Sequence, residues 1–226
     1  MAATNLRGRA AMREPRLWRY VLRYDGGLAP HIAGGVCSLA CCKPKIRRYA
    51  ARGDWIIGFV PAGESRGRAL VRYAMAVTEN PMPFADYWRN HRGRRDAIYR
   101  PDEKGLVWVE NACRDHPDIR AHERDLSGIY ALLSDRYWYF GMPGQELCGA
   151  LRPQFQSDEE CKEATKRIFF GGRGQKYKGL AAGDFACVKA WLEHTRVNRS
   201  EMASESDAAA ADAERCRGRT RCVTGV

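Results

Sequence analysis

Five pieces follow one another without a break: WRYVLRY (18–24), DGGLAPHIAGG (25–35), VCSLACC (36–42), KPKIRRYAARGD (43–54) and WIIGFV (55–60). The first alternates Trp18, Tyr20, Leu22 and Tyr24 with Arg19, Val21 and Arg23, the period of a half-buried strand. Its end at Asp25-Gly26-Gly27 allows positive φ and a close backbone approach to a ligand, and Pro30 with Gly34-Gly35 keeps the following loop irregular. Pro44 suits the first turn of a helix, Ile46, Tyr49 and Ala50 recur at helical spacing, and Gly53 is placed to end it. Unbroken apolar character over Trp55–Val60 predicts a strand buried on both sides or lying inside a barrel. No acidic residue occurs between Asp25 and Asp54, so strand, loop, helix and strand together describe a shaped, electropositive pocket.

Outward from this stretch, Ala69–Thr78 alternates again and pairs with Trp55–Val60 as an antiparallel hairpin, with Val71, Tyr73, Met75 and Val77 sharing one face. Pro81 and Pro83 end it, and Phe84–Trp88 begins a short helix continued by Arg89, His91, Arg92, Arg94, Arg95 and Arg100. Arginines interleaved with aromatics suit single-stranded nucleic acid, or form a basic loop over a small aromatic core. Residues 98–125 have poor periodicity and read as an inserted loop. Asn111, Cys113, Asp115, His116, Asp118, His122 and Glu123 fall there, at spacings that match no established zinc or iron pattern. Ile129–Ser134 and Arg136–Phe140 read as strands broken at Ser134-Asp135, the second with rings on both faces. Ser157 with Glu160 is a capping box for a helix through Cys161, Ala164 and Ile168. A glycine loop with Arg173, Gly174 and Lys176 follows, and Asp184 caps a last helix with Phe185, Val188, Trp191 and Leu192 as its apolar stripe.

The 226 residues suffice for one substantial core. We expect a basic extension over 1–15, one α+β domain over 16–197 and a low-complexity tail over 198–226. Residues 1–16 hold Arg7, Arg9, Arg13 and Arg16 against Glu14 alone, as an extension or a targeting signal would. Lys and Arg outnumber Asp and Glu by 38 to 27, a formal charge of +11, which favours polyanionic partners unless it is merely compositional. No apolar run is long enough for a membrane span. Nine cysteines without an apolar signal segment read as free thiols of a reduced, cytoplasmic protein. Neither metal nor cofactor is expected. There is no nucleophile elbow or dinucleotide fingerprint, and Cys37, Cys41 and Cys42 lack the spacing of a structural zinc site.

Several segments carry a family resemblance. Arg23–Pro30, Leu39–Arg48 and Gly53–Gly58, then Tyr73–Thr78, Asp86-Tyr87-Trp88, Ile98-Tyr99, Leu133–Gly141 and Gly172-Arg173-Gly174, resemble the second type of nucleotide-modification-associated domain. The likeness covers roughly Arg19 to Leu192. It departs at His31, where asparagine is often expected, and in extra sequence between Met142 and Phe170. The motif positions it carries over are Arg23, Asp25, Gly27, Pro30, Cys41, Lys43, Pro44, Arg47, Asp54, Trp55, Ser134, Asp135, Tyr139, Arg173 and Gly174.

The resemblance implies a role in systems that modify or recognise nucleotides in DNA. The order helix, Gly-Asp turn and apolar strand is also similar to PUA-like barrels that bind modified bases. The expected fold is α+β, with a curved or barrel-like mixed or antiparallel sheet flanked by short helices. In the expected site Arg23, Lys43, Arg47 and Arg173 contact phosphate, and Trp55, Tyr137 or Tyr139 stacks on a base. Asp25 or Asp54 accepts hydrogen bonds from the base edge, with Gly27, Pro30, Ser134 and Gly174 shaping the pocket. One alternative is an enzyme acting on nucleotides, with Asp25 or Asp54 as acid and base and Cys41 as nucleophile. Another is a basic protein-interaction module.

Overall fold

In the computed structural model, residues 13–23, 27–109, 119–147, 156–169, 176–178 and 182–195 are described. Tyr24, Asp25, Gly26, Arg173, Gly174 and residues 198–226 lie outside them, as does most of the expected N-terminal extension. The architecture is mixed α+β. Strands β4 (Trp55–Phe59) and β5 (Leu70–Ala76) form the expected antiparallel hairpin, with α2 (Ala62–Ser65) between them. On one side β4 pairs in parallel with β1 (Leu17–Val21), which pairs antiparallel with β12 (Lys176–Lys178). On the other side β5 carries both β10 (Arg136–Tyr139) and β11 (Gln145–Glu146). The sheet is mixed, as expected, but a barrel-like closure is absent among the described residues: β10 and β12 are opposite edges that do not meet.

Alternation assigns the two faces of this sheet. Trp55, Ile57, Phe59, Ala74, Ala76 and Trp138 point to one side, where Cys161 and Ile168 of α5 (Asp158–Phe169) and Val188, Trp191 and Leu192 of α6 (Ala182–His194) cover them. The Ser157 hydroxyl caps α5 by accepting the Glu160 N–H at 3.2 Å. Helix α6 begins before Asp184 rather than at it. Trp18, Tyr20, Ile56, Tyr73, Met75 and Tyr137 point to the opposite side. A register shift at Gly58/Phe59 pairs Phe59 with Val71 and passes over Arg72, so Val71 joins the helix-covered face instead of the face of Tyr73.

A cross-strand row runs Tyr139, Tyr73, Gly58, Tyr20. Gly58 is required there because the Tyr73 ring lies over it: an added Cβ would sit 2.5 Å from Cε1 of that ring.

The second face is covered by a four-stranded sheet in the order β2 (His31–Ala33), β3 (Val36–Leu39), β9 (Tyr130–Ser134), β6 (Met82–Pro83). Gly34-Gly35 is therefore no irregular loop. Both residues have positive φ, 58° and 76°, and make the two-residue turn of the β2–β3 hairpin. Cys37, Leu39 and Leu132 face the first sheet together with Ile46 of α1 (Pro44–Tyr49). On its outer side lie α3 (Phe84–His91), α4 (Ile119–Leu126) and a hairpin of β7 (Tyr99–Asp102) and β8 (Gly105–Trp108). The expected inserted loop thus contains a hairpin and a helix. Residues 100–105 of that hairpin are exposed, which is why they carry no apolar alternation.

The contact of Gly58 with Tyr73 predicts that Gly58→Ala destabilises the protein by about 1–3 kcal/mol through overpacking. Tyr73→Leu in the same chain should recover part of that loss, read as a positive coupling in a urea-denaturation double-mutant cycle.

Candidate functional site

The chain leaves β1 toward a loop in which side chains take the carbonyls of Leu22, Arg23, Gly27, Leu28 and Ala29. Arg72, buried in the bulge of β5, donates through Nη1 to the Leu22 carbonyl and to the Arg23 carbonyl at 3.1 Å. His31 Nδ1 donates to the Gly27 carbonyl at 2.8 Å, the Cys41 thiol to the Leu28 carbonyl at 3.2 Å, and the Tyr20 hydroxyl to the Ala29 carbonyl at 3.0 Å. Tyr20 also shares a 2.8 Å hydroxyl–hydroxyl bond with Tyr73, so the aromatic row of the large sheet is tied to the loop. The Ala29-Pro30 peptide is cis. Among the described residues no acceptor meets the N–H groups of Leu28 and Ala29. At Leu28 and Ala29 the carbonyls are taken and the N–H groups remain as donors.

Two more groups at this loop keep unused polar capacity among the described residues. A carbonyl can only accept, so His31 Nδ1 carries the proton and Nε2 is a lone-pair acceptor in the neutral ring. His31 is 6% exposed, and its Nε2 meets no hydrogen-bond partner among the described residues. The Lys43 ammonium lies 4.5 Å from the centroid of Tyr20, and among the described residues it meets no carboxylate at ion-pair distance. Burial pushes its pKa below the ordinary lysine value, with Cys42, Cys41 and Asp125 acting weakly in the other direction. A half-buried ammonium that no carboxylate among the described residues meets at ion-pair distance is an electrostatic setting suited to an anion.

The other expected polar residues are held by the protein itself. Arg47, expected to face phosphate, has no exposed surface. Its Nε donates to the Cys42 carbonyl at 2.6 Å, Nη1 to the Tyr130 carbonyl at 2.9 Å, and Nη2 to Oδ1 and the carbonyl of Asp125 at 2.6 and 2.5 Å. Asp125 Oδ2 in turn accepts the Tyr99 hydroxyl at 2.9 Å, and burial with that carboxylate holds the Tyr99 pKa far above the usual phenol value. Asp54, a candidate acid–base group, is 1% exposed. It accepts from Arg13 Nη2 and the Arg16 N–H at 2.8 Å, Trp18 Nε1 at 2.9 Å and the Ala51 N–H at 3.1 Å. Cys41 is fully buried, and its pKa is raised well above the thiol norm by the Cys42 hydrogen bond and by desolvation, so it remains a thiol rather than a nucleophilic thiolate. Ser134 caps the β9–β10 corner, accepting the Arg136 N–H at 2.9 Å and donating to the Arg136 carbonyl at 2.7 Å.

The Cys41 thiol reaches the Leu28 carbonyl and Lys43 lies over Tyr20, while Tyr137 and Tyr139 belong to the same cluster as Tyr20, Ala29 and Ile32. Trp55 lies on the opposite face of the six-stranded sheet, stacked on Trp138 with centroids 5.3 Å apart. Arg23 is exposed. Tyr20, Tyr73, Arg72 and the acceptor role of His31 were not expected from sequence. For His31 the departure from asparagine was a signal, while nothing short of strand register could align Tyr20 with Tyr73. The described cysteines, Cys37, Cys41, Cys42, Cys161 and Cys187, are free thiols. Among the described residues no cluster of three or more His, Cys, Asp or Glu could hold a metal ion, and no helix is long and apolar enough to cross a membrane.

Two sheets packed face to face, with the loop of residues 27–31 tied to the larger one through Tyr20, define a mixed α+β protein. The family model of nucleotide modification associated domain 2 matches residues 14–170, and the chain belongs to that family. No curated protein and no solved structure matches it significantly.

Opposite stability effects are expected of two cations in α1 and its N-cap. Arg47→Met should cost about 3–5 kcal/mol in urea denaturation, because it leaves Asp125 buried and uncompensated. Lys43→Met keeps an apolar stem over Tyr20 and removes an unpaired, desolvated charge, so it should raise the denaturation midpoint.

Proposed function

We propose that this protein binds a nucleotide, or a modified base within nucleic acid, at the loop of residues 27–31. The observation that carries this reading is Lys43: an ammonium partly withdrawn from water that meets no carboxylate among the described residues and lies over Tyr20, whose hydroxyl binds the loop at Ala29, where two backbone N–H groups are unclaimed. Phosphate supplies the oxygens that such a cation and such donors lack. His31 Nε2 would accept an N–H of the base, and Tyr139, half-buried at the end of the tyrosine row, offers a ring face for stacking. Arg23, Asp25, Arg173 and Gly174 remain candidates for the rim of the site. Arg47 acts beneath the site as scaffold, and Asp54 orders the start of β1. Membership of a nucleotide-modification family supports the ligand class. The likeness to base-binding PUA-like barrels is an analogy of α1, Gly53-Asp54 and β4, and carries no function by itself.

Isothermal titration with the four deoxynucleoside monophosphates tests this. Lys43→Met should weaken binding at least tenfold while the fold persists, and unchanged affinity would overturn the assignment. Lys43 binds phosphate only while protonated. Affinity should therefore hold at neutral pH and fall as pH rises through its lowered pKa, earlier than for an ordinary lysine. Lys43→Arg should remove this alkaline limb.

A further inference from the structure

Helix α1 separates its cations by side. Ile46 and Arg47 face inward, whereas Lys45, Arg48 and Tyr49 are exposed at spacings of three and four residues, and Arg52 is exposed in the turn that follows. Tyr49 is 58% exposed and, with Val21 and Ile129, is one of the exposed large hydrophobic residues among those described. The Arg48 guanidinium lies 5.8 Å from its ring centroid. Arg48 and Arg52 meet no carboxylate among the described residues. No acidic residue occurs from Gly26 to Gly53, so the helix and its flanks contribute no carboxylate of their own. Among the described residues Arg48 alone is found against the Tyr49 ring, which is otherwise open to solvent.

The geometry points to the outer face of α1 as a docking surface for single-stranded nucleic acid, with phosphates on Lys45, Arg48 and Arg52 and a base stacked on Tyr49. This rests on the nucleotide-binding reading of the loop and names its ligand: a residue of a polynucleotide strand rather than a free nucleotide. Lys43 is the N-cap of the same helix, two residues before Lys45, which sets the loop site and this face on adjoining parts of the chain. A base can cover Tyr49 only if it is unstacked from its neighbours, which selects a single strand over a duplex. An anionic membrane is disfavoured because the face presents no aliphatic side chain that would enter the acyl region.

Fluorescence anisotropy with a labelled single-stranded oligodeoxynucleotide of about 12 nucleotides, inside the roughly 4–16-nucleotide reach of one binding domain, tests the proposal. Mononucleotide titrations run in parallel. Between about 50 and 200 mM salt, the slope of log affinity against log salt should shrink by about 0.7 for each phosphate that is no longer neutralised, hence about 2 for Lys45→Ser/Arg48→Ser/Arg52→Ser. Tyr49→Ala should lose about fivefold or more in affinity with the slope unchanged. All four side chains are exposed, so thermal midpoints should stay near that of the wild-type chain, and mononucleotide affinity should not move. An unchanged slope in the triple variant overturns the surface. So does equal affinity for a duplex, or binding to phosphatidylserine vesicles as tight as to the oligonucleotide. Loss of the mononucleotide site alone, with oligonucleotide binding retained, refutes the loop reading and leaves the surface standing.

Discussion

A guanidinium shut off from water must find acceptors inside the protein, and Arg47 finds four. They belong to Cys42, Asp125 and Tyr130, so one side chain fastens the start of α1 to α4 and β9 across 78 to 83 residues of sequence. Gly128 lets the backbone lie against the guanidinium, where a Cβ would approach Cζ to 2.6 Å, and Phe84 covers another side at 4.9 Å. The position of Cys42 then fixes Cys41 on one side and Lys43 on the other. Cys42 and Lys43 are both held at positive φ, 56° and 48°, which bends the chain so that the thiol reaches Leu28 while the ammonium reaches Tyr20. Without Arg47 neither half of that bend has an anchor.

The same economy recurs in Arg72 and Asp54. Each is an ionised group, almost fully buried, that collects carbonyls or N–H groups where a strand begins or ends. Ser38, Tyr87, Arg94 and Asp96 form a fourth such cluster between the small sheet and α3, with Ser38 and Tyr87 donating to the Asp96 carboxylate at 2.6 and 2.7 Å. Charge in this chain is therefore of two kinds. Part of it is internal fastening, matched group by group, and part lies at the surface, in exposed ion pairs such as Arg89 with Asp86 or, as at Arg48, with no carboxylate among the described residues.

Strands were legible where one face is wet or where alternation is strict, as in β1 and β10, and the capping box marked α5. Sequence could not distinguish the two kinds of charge. Arg47 and Arg48 are neighbours with the same chemistry, and only the position of α1 against β9 and α4 makes one a scaffold and the other a surface group. The β2–β3 hairpin was missed because its strands are short and its residues small, so that the glycine pair looked like loop rather than turn. Trp55 was grouped with Tyr137 and Tyr139 on aromatic character alone. Register sends Trp55 and Tyr137 to opposite faces, and the six-stranded sheet lies between them.

The family match ends at residue 170, yet the architecture does not. Strand β12 pairs with β1, and α6 places Val188, Trp191 and Leu192 over Trp55 and Trp138. A fragment ending where the family ends would expose the hydrogen-bonding edge of β1 and uncover the tryptophan face of the sheet, two surfaces that invite self-association. The evolutionary module and the cooperative folding unit therefore have different borders. During synthesis, β1 waits for Lys176–Lys178 before its open edge is closed.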